Sequence, residues 1–460
     1  MTNLMILGMF VIAFYLTLRD GPWTVVRTLY VVALFVAPVW MAKQFGTFTF
    51  DFRFAVIAGM FAALLFRPMT GSLHWQILLG DLCVLFISLS EFITTLYWDD
   101  TTITTPFESL RVWVLPYLMG RMLARSIEDL EAGAKVLWWV GLYLAVYAII
   151  ESLTQTNLIN HLYGKVHWIL DQEGGDRWGL KRAHGPLEHP IYFGMMLTML
   201  WPWTVMAASK FGKWGWVSPV LLPVGIFLTI SRGAWLVGFL SLLSIVFFSR
   251  PRFRFWIGAF LVGAAGMLFF AGDEIRTLVG MIIGEKPGFR EYISIKGHLY
   301  EYTGTLHRGL LFDVYADAMR DAGWLGYGAP DTMRVPYPPD TDDRFRSIDQ
   351  AYIHLQLRLG IVGVVALLAM GFVGLFYLVL TAWTAGGRLT ILAAGLFGAC
   401  GGIMIILNTV SFQKDFSIPW MFSMGVATGL ERLRRLDNEA KAVAMRIEPP
   451  TFGALRPLRR

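Results

Sequence analysis

Cysteine and charge are both scarce in this chain. Its 460 residues include 2 cysteines, Cys83 and Cys400, and both lie inside apolar runs, where a thiol is most simply a small buried hydrophobe. No disulfide framework or cysteine metal site is readable. Charged residues make up only 16% of the chain, hydrophobic residues make up 56%, and the mean hydropathy is +0.55. A soluble domain could not cover such a composition with polar groups, so the sequence predicts a polytopic membrane protein.

Long apolar runs recur along the chain, and many approach the roughly 20 residues that a helix needs to cross a bilayer. They predict an all-α fold of about 12–14 transmembrane helices. The predicted spans lie at 3–18, 25–42, 54–66, 77–97, 107–123, 136–153, 190–208, 216–231, 233–248, 255–271, 360–383, 388–409 and 416–430. The chain then divides into an N-terminal bundle at 1–271, a large polar loop at 272–358, C-terminal helices at 359–430 and a basic tail at 431–460.

Basic residues in the short connections set the orientation, because Lys and Arg are retained on the cytoplasmic side. The three basic connections and the tail are therefore placed inside, and alternation puts the loops at 152–189 and 272–358 on the opposite, outer side. The basic residues of the connections are Arg121, Arg125, Lys210, Lys213, Arg250, Arg252 and Arg254. The tail is interpreted as solvated, with contact to lipid headgroups as the alternative. The net charge of +6 partly reflects these segments, so nucleic acid binding is not implied.

Two arginines lie beside predicted spans. Arg182 opens the segment Arg182-Ala183-His184-Gly185-Pro186-Leu187-Glu188-His189-Pro190, whose Gly and Pro residues restrict the backbone entering the next span. It is either an anion ligand or a loop residue that meets headgroups. Arg232 lies in a predicted tight turn between two spans, and an arginine at mid-membrane costs on the order of 2.5–3.5 kcal/mol. We therefore expect Arg232 to contact water, a partner group or a ligand.

The polar loop contains a third arginine, Arg308. It precedes an apolar pattern typical of an amphipathic helix that lies on or near the membrane, ended by Gly326 and Gly328. The helix dipole and the free N–H groups at its start favour an anion beside Arg308. The apolar positions are Leu311, Val314, Tyr315, Ala318 and Met319. Trp324 is either a platform for a sugar ring or part of the loop's own packing.

An acidic group follows at the end of the loop. Read as helix, Asp349, Tyr352 and Gln356 share one face at the outer end of a span. The Asp349 carboxylate would then serve as the general base for a hydroxyl group, as a helix N-cap, or as the partner of an arginine.

Together these segments resemble the O-antigen ligase and Wzy-type polysaccharide polymerase family. The resemblance runs from about Arg182 to Gly363 and rests on the order and spacing of four motifs. These are Arg-x-x-Gly-Pro-x-x-His-Pro at Arg182, Leu-Thr-Ile-Ser-Arg-Gly at Arg232, Thr-Gly-x-x-x-Arg at Arg308 with a later Leu-Gly-Tyr-Gly, and Ser-x-Asp-Gln-x-Tyr-Ile at Asp349 followed by Gly-Ile-Val-Gly.

The resemblance implies a GT-C-type glycosyltransferase of the bacterial inner membrane with a periplasmic active site. It would transfer a glycan from undecaprenyl pyrophosphate to an acceptor hydroxyl without a metal or another cofactor. Its partners would be the lipid-linked donor, the glycan acceptor, membrane lipids and a chain-length regulator. The matching arginines would bind the pyrophosphate, with His189, Tyr352 and Trp324 as further substrate-binding candidates. Guanidinium groups suit this role because their bidentate hydrogen bonds neutralise a departing diphosphate.

One departure from the family concerns the catalytic position. Ligases typically carry His-Asn where this chain has Asp349-Gln350, and often an acidic residue where it has Arg358. This favours the polymerases of exopolysaccharide, capsule or O-antigen repeat units over the ligases that modify lipid A core or protein. Asp349, His354 and Glu188 all remain candidates for the base. A transporter of lipid-linked glycans is the alternative of another class, although the charges gather at one face rather than at the midplane.

Overall fold

The computed structural model describes residues 2–45, 48–66, 76–98, 104–159, 179–270, 291–302, 307–328, 335–412 and 414–447. Most of them lie in helices, because the N–H and C=O groups of an apolar run have no water to bond in lipid and a helix pairs them within the run. The helices are α1 (Thr2–Asp20), α2 (Pro22–Val36), α3 (Phe52–Leu64), α4 (Leu79–Tyr97), α5 (104–123), α6 (Ile127–Thr154), α7 (Pro190–Ala207), α8 (Val217–Leu228), α9 (Arg232–Ser249), α10 (Arg254–Phe270), α11 (His307–Asp321), α12 (Ala351–Thr384), α13 (Gly387–Ile406) and α14 (Lys414–Ile447).

Two antiparallel hairpins interrupt the helical chain. The first pairs β1 (Lys43–Phe45) with β2 (Phe48–Phe50), and the second pairs β3 (Glu291–Ile295) with β4 (His298–Tyr302). Helices α2 and α5 each contain one π-helical turn, at Val26–Tyr30 and Leu110–Val114.

Every predicted span coincides with one of these helices, in the predicted order. Seven helical segments of the described chain have the length and composition to cross a membrane, and three shorter apolar ones accompany them. The predicted all-α polytopic membrane fold is thereby confirmed, whereas the number of about 12–14 spans stays a prediction. The shorter segments are Pro22–Val36, Phe52–Leu64 and Gly212–Leu228.

Several basic side chains meet at one end of the bundle, which we call the basic face, and Arg254 lies there over the ring of Trp383 near the end of α12. Arg27 pairs with Asp129 at 3.1 Å, and Lys210 and Arg388 both pair with Glu131, at 2.5 and 2.7 Å. These contacts bring together connections that are far apart in sequence, as the predicted alternation requires.

The start of the predicted tail belongs to the same face. Glu431 and Arg432 are buried, and Arg432 donates to the carbonyl of Arg125 at 2.5 Å. The interpretation of the tail as solvated is therefore wrong for these two residues, because α14 continues through them and packs them into the bundle. Residues 448–460 lie outside the described residues.

The polar loop has a small core of its own. Leu311, Val314, Tyr315 and Ala318 of α11 are buried as predicted, but they pack against Ile293 and Ile295 of β3, Phe345, and the first turns of α12. Protein therefore covers the apolar face of α11, so this face does not contact lipid; the position of the helix near the membrane stays a prediction. Residues 271–290 and 303–306, which include Thr303 and Gly304 of the third motif, lie outside the described residues.

A break in α12 anchors this loop to the bundle. Gly360 has φ 67° and ψ −166°, a conformation open essentially to glycine alone, and it divides α12 into two helices. The carbonyls of Leu357 and Arg358 lose their helical partners there and accept instead from Tyr327 N and Gly328 N, at 2.7 and 3.1 Å. The Leu-Gly-Tyr-Gly motif is thus hydrogen-bonded to the end of the helix that immediately precedes the Gly-Ile-Val-Gly motif.

Candidate active site

The segment from Arg182 to His189 is folded onto the end of α6 by a buried carboxylate. Glu151 is fully buried, and its Oε2 accepts from Gly185 N at 2.9 Å while its Oε1 lies 3.3 Å from His184 Nε2. Asn157 donates to Glu151 Oε1 at 2.9 Å and to the carbonyl of Gly185 at 3.0 Å. These bonds fix the conformation of the first motif, and sequence reasoning missed Glu151 because it reads as the end of an apolar span.

Arg182 lies against the turn that precedes α9. Its Nε donates to the carbonyl of Thr229 at 3.3 Å, and Ala183 N donates to the carbonyl of Leu228 at 3.0 Å. The Arg182 side chain is buried, so it does not face lipid headgroups as the alternative interpretation expected. Arg232 begins α9 immediately after this turn and is exposed. The structure therefore brings the first two predicted arginine segments together.

His189 caps α7 at the same place. Its Nδ1 accepts from Ile191 N at 3.1 Å, which requires that this nitrogen carry no proton. Burial, together with the neighbouring Arg182 and His184, lowers the pKa of His189 from 6.5 to about 4. The ring is therefore neutral at pH 7. Glu188, a predicted base, precedes it and is partly exposed.

The segment at 404–411, which is the last turn of α13 and the residues that follow it, joins the other motifs. Tyr192 in the first turn of α7 lies 2.8 Å from Ser411 through their hydroxyl oxygens. Ala351 N donates to the carbonyls of Leu407 and Val410, at 3.0 and 3.1 Å, and Tyr352 OH donates to the carbonyl of Met404 at 2.7 Å. One short turn thus holds the start of α7 beside the start of α12.

Asp349 lies outside α12 rather than within it. The helix begins at Ala351 with Gln350 as its N-cap residue, and Asp349 is exposed, with one oxygen accepting from Ser347 Oγ at 3.0 Å. The interpretation of Asp349 as an N-cap is therefore wrong, as is its place on a helical face shared with Tyr352 and Gln356. An exposed carboxylate beside a helix N-terminus remains available to a substrate hydroxyl.

The start of α11 faces Asp349. Burial lowers the pKa of His307 below its usual value, and the nearby Asp349 carboxylate opposes that shift. The His307 ring stacks on Phe345 with a centroid separation of 4.8 Å, and the adjacent Arg308 is exposed. The third arginine therefore lies in the neighbourhood of the predicted base. His354, by contrast, lies in α12 on the side of Arg358.

The predicted aromatic site residue lies at the edge of this region. Trp324 is 72% exposed, and its carbonyl accepts from Val362 N just after the Gly360 break. Its neighbours Tyr327 and Tyr337 donate to the carbonyls of Ala318 and Asp342, at 3.1 and 2.6 Å. These two rings pack the loop itself, whereas the exposed Trp324 ring remains available to a ligand.

Two ion-pair clusters of the described chain could not be predicted from the sequence, because their partners are distant in the chain. Arg358 pairs with Glu91 of α4, which also accepts from Trp113 Nε1 at 2.6 Å. Arg111 of α5 binds Asp51 at 3.1 Å and Glu108 at 2.8 Å. Arg358 therefore supports the contact between α4 and α12 rather than standing free for a ligand.

We call the end of the bundle that carries these segments the site face. The N-termini of α7, α9 and α12 contact the 404–411 segment, and the N-terminus of α11 lies near Asp349. Helix N-termini carry partial positive charge and unpaired N–H groups, so an end of the bundle that gathers them favours anions. The Arg182, Arg232 and Arg308 positions fit such a role, which stays a prediction for each of them.

Comparison with known proteins finds a family match over part of the chain. Residues 217–368, about a third of the chain, match the family model described as O-antigen ligase. The predicted resemblance to this family is thereby confirmed over the matched residues. The match includes Arg232, Arg308 and Asp349, whereas Arg182 precedes it. No curated protein matches the chain.

Proposed function

We propose that the protein is a polymerase of exopolysaccharide, capsule or O-antigen repeat units. It transfers glycan from undecaprenyl pyrophosphate to an acceptor hydroxyl at the periplasmic face of the bacterial inner membrane. The observation that carries this proposal is that the starts of α7, α9 and α12 contact the 404–411 segment, with Arg182 and Arg232 beside them, while α11 and Arg308 begin near Asp349. This arrangement suits a diphosphate, and the family domain supports glycan chemistry.

The reaction requires stabilisation of the negative charge on its leaving group. As the bond between the anomeric carbon and the diphosphate oxygen breaks, negative charge grows on the diphosphate. The Arg232 and Arg308 guanidinium groups, together with the N–H groups that open α9 and α11, stabilise that charge in place of a metal ion. Arg182 assists from its position beside the Thr229 carbonyl.

The acceptor oxygen attacks the anomeric carbon from the opposite side. A glycosidic bond forms, undecaprenyl diphosphate departs, and the hydroxyl proton moves to a carboxylate. We assign the base to Asp349 because it is exposed beside the α12 N-terminus and faces the α11 N-terminus. Glu188 and His354 are the competing assignments. A single displacement of this kind inverts the anomeric centre.

A reconstituted reaction tests the proposal. Purified protein in detergent is supplied with undecaprenyl-diphosphate-linked repeat units, and the products are separated by chain length. A ladder of longer carrier-linked glycans is expected. Transfer only when lipid A core is added would identify a ligase instead, and absence of donor consumption with either acceptor would contradict the enzymatic proposal.

A deletion strain separates the same possibilities in cells. Loss of a polymerase leaves single repeat units on the surface, whereas loss of a ligase accumulates long glycans on the carrier. Donor consumption in detergent without vesicles would also exclude a pure transporter, because transport needs two compartments.

A further inference from the structure

A buried carboxylate lies where α6 ends, although no step of the proposed reaction uses it directly. Glu151 is fully buried near the end of a helix that is long and apolar enough to cross the membrane. A carboxylate in such a place loses its hydration, and apolar side chains of similar volume often join two segments equally well. Stability alone therefore does not account for Glu151, whereas its hydrogen-bond partners suggest a role.

The partners of Glu151 hold Gly185, three residues after Arg182. The Glu151 carboxylate accepts from Gly185 N at 2.9 Å. Asn157 bridges Glu151 to the Gly185 carbonyl through two bonds, at 2.9 and 3.0 Å. Asn157 is itself held by Tyr147, whose hydroxyl donates to it at 2.7 Å. Both backbone polar groups of Gly185 are thus tied to the end of α6 and the residues that follow it.

The neighbouring Ser152 holds the other side of Arg182. Its hydroxyl donates to the carbonyl of Lys181 at 2.8 Å, and Ser152, like Glu151, is fully buried. Residues 181 and 185 are therefore both anchored to the end of α6, so the backbone that carries Arg182 has little freedom to shift. We call the pair Glu151 and Ser152 the α6 clamp.

The other contacts of this segment lead to the turn before α9. Arg182 Nε donates to the Thr229 carbonyl at 3.3 Å, and Ala183 N donates to the Leu228 carbonyl at 3.0 Å. The guanidinium group is therefore placed between two helices before any ligand binds. A charge that is fixed in advance stabilises a growing anion without rearrangement, and a displacement of about 1 Å can lower a rate by about 10²-fold.

We propose that the α6 clamp positions Arg182 for the departing diphosphate, with Asn157 as its bridge to Gly185. Glu151 is a positioning residue: it lies beneath the segment, and its effect on glycan transfer passes through Arg182. The inference rests on the proposed function, because it takes Arg182 to bind the diphosphate of the glycan donor.

An exchange of two side chains tests the hydrogen-bond pattern. Glu151→Gln alone turns an amide N–H group towards the Asn157 amide, and Asn157→Asp alone places a second carboxylate against Glu151. The two substitutions together restore a donor opposite an acceptor at unchanged net charge. The second hydrogen of the new amide can bond His184 Nε2, because His184 Nδ1 faces the Leu187 carbonyl at 3.0 Å and carries the proton of the neutral ring. The bond from residue 157 to the Gly185 carbonyl is lost.

The measurement is kcat for transfer from undecaprenyl-diphosphate-linked repeat units by the full-length protein in detergent, scaled to the folded fraction, together with KM for the acceptor glycan. Glu151→Gln and Asn157→Asp should each lower kcat by about 10–100-fold and leave KM for the acceptor unchanged, because Arg182 acts on the leaving group. The combined variant should recover kcat to within about threefold of the wild type.

Two further variants separate positioning from stability. Ser152→Ala removes the bond to Lys181 without leaving a buried charge unpaired, so it should fold normally and lower kcat by about 3–10-fold. Asp81→Asn is the matched control, because Asp81 is a buried carboxylate that binds Arg121 at 3.0 Å at the opposite end of the bundle from Arg182. It should lower the melting temperature and leave kcat per folded molecule unchanged.

Three results would overturn the inference. Wild-type kcat in folded Glu151→Gln and in Ser152→Ala would show that the clamp serves the fold alone, and it would leave the proposed function intact. A combined variant that regains the melting temperature but not kcat would show that Glu151 acts by a route other than this hydrogen-bond pattern. Failure of the wild type to consume the donor would contradict the proposed function as well. If neither single variant folds, Ser152→Ala decides between positioning and stability.

Discussion

Replacement of Gly360 by alanine tests whether the backbone contact between the polar loop and α12 organises the site face. The added Cβ would lie 2.2 Å from the Trp324 carbonyl oxygen and 2.3 Å from its carbon, both of which are backbone atoms that cannot rotate away. The loop segment must therefore move, and the hydrogen bonds that dock it must weaken.

The expected cost follows from two terms. A non-glycine residue at φ 67° and ψ −166° is strained by about 1–3 kcal/mol. Loss of the two bonds from Tyr327 N and Gly328 N adds about 1 kcal/mol each. The sum is about 3–5 kcal/mol, which is enough to release the loop while the apolar helices stay packed.

Hydrogen exchange of the Tyr327 and Gly328 amides is the direct measurement. Both amides should exchange faster in Gly360→Ala by about two to four orders of magnitude, and polymer formation should fall with them. Gly258→Ala is the control, since its Cβ meets open space and both amides should stay protected. Unchanged protection in Gly360→Ala would refute the proposed docking contact.

Three further predictions concern the site face. Arg232→Ala should lower glycan transfer by about 10²–10³-fold at an unchanged protein level. Arg232→Lys should recover little of this activity, because an ammonium group cannot form the bidentate hydrogen bonds of a planar guanidinium group. Retained transfer in the alanine variant would show that Arg232 does not belong to the site. Asp349→Asn should lower transfer by about 10²–10⁴-fold and His354→Ala by much less, and the reverse order would assign the base to His354. Because the folded pKa of His189 lies near 4, below the ordinary 6.5, its cap on α7 stabilises the fold fully above pH 6.5 and is lost as the pH falls through 4. The melting temperature should therefore fall over that range in the wild type and less in His189→Asn, which keeps a cap that does not titrate; parallel curves would show that the ring does not cap the helix.

The helices could be predicted from the sequence because each is a long apolar run with little competing structure. The break in α12 even falls at the predicted start of a span, since Gly360 separates the polar approach from the apolar run. The hairpin from Glu291 to Tyr302 was missed because its short alternating strands lie within a charged segment. The burial of α11 was misassigned because an apolar helical face looks the same whether protein or lipid covers it.

The arginine segments could each be found in the sequence, but their proximity to one another in the fold depends on contacts that no local pattern predicts. Arg182 reaches the Thr229 carbonyl across 47 residues, and the 404–411 turn was not singled out at all. Glu151 was overlooked because a buried carboxylate at the end of an apolar helix carries no motif. Asp349 was correctly noticed, yet its helical face was wrong because Gln350, not Asp349, opens the helix.

The pairing of Arg358 with Glu91 constrains how relatives of this chain can diverge. Both side chains are largely buried, so a single reversal of either charge would leave two like charges facing each other, and loss of one partner typically costs about 3–5 kcal/mol. Exchange of both residues would keep the attraction. We expect a homologue with an acidic residue at the position of Arg358 to carry a basic one opposite it, so that the two positions covary across the family.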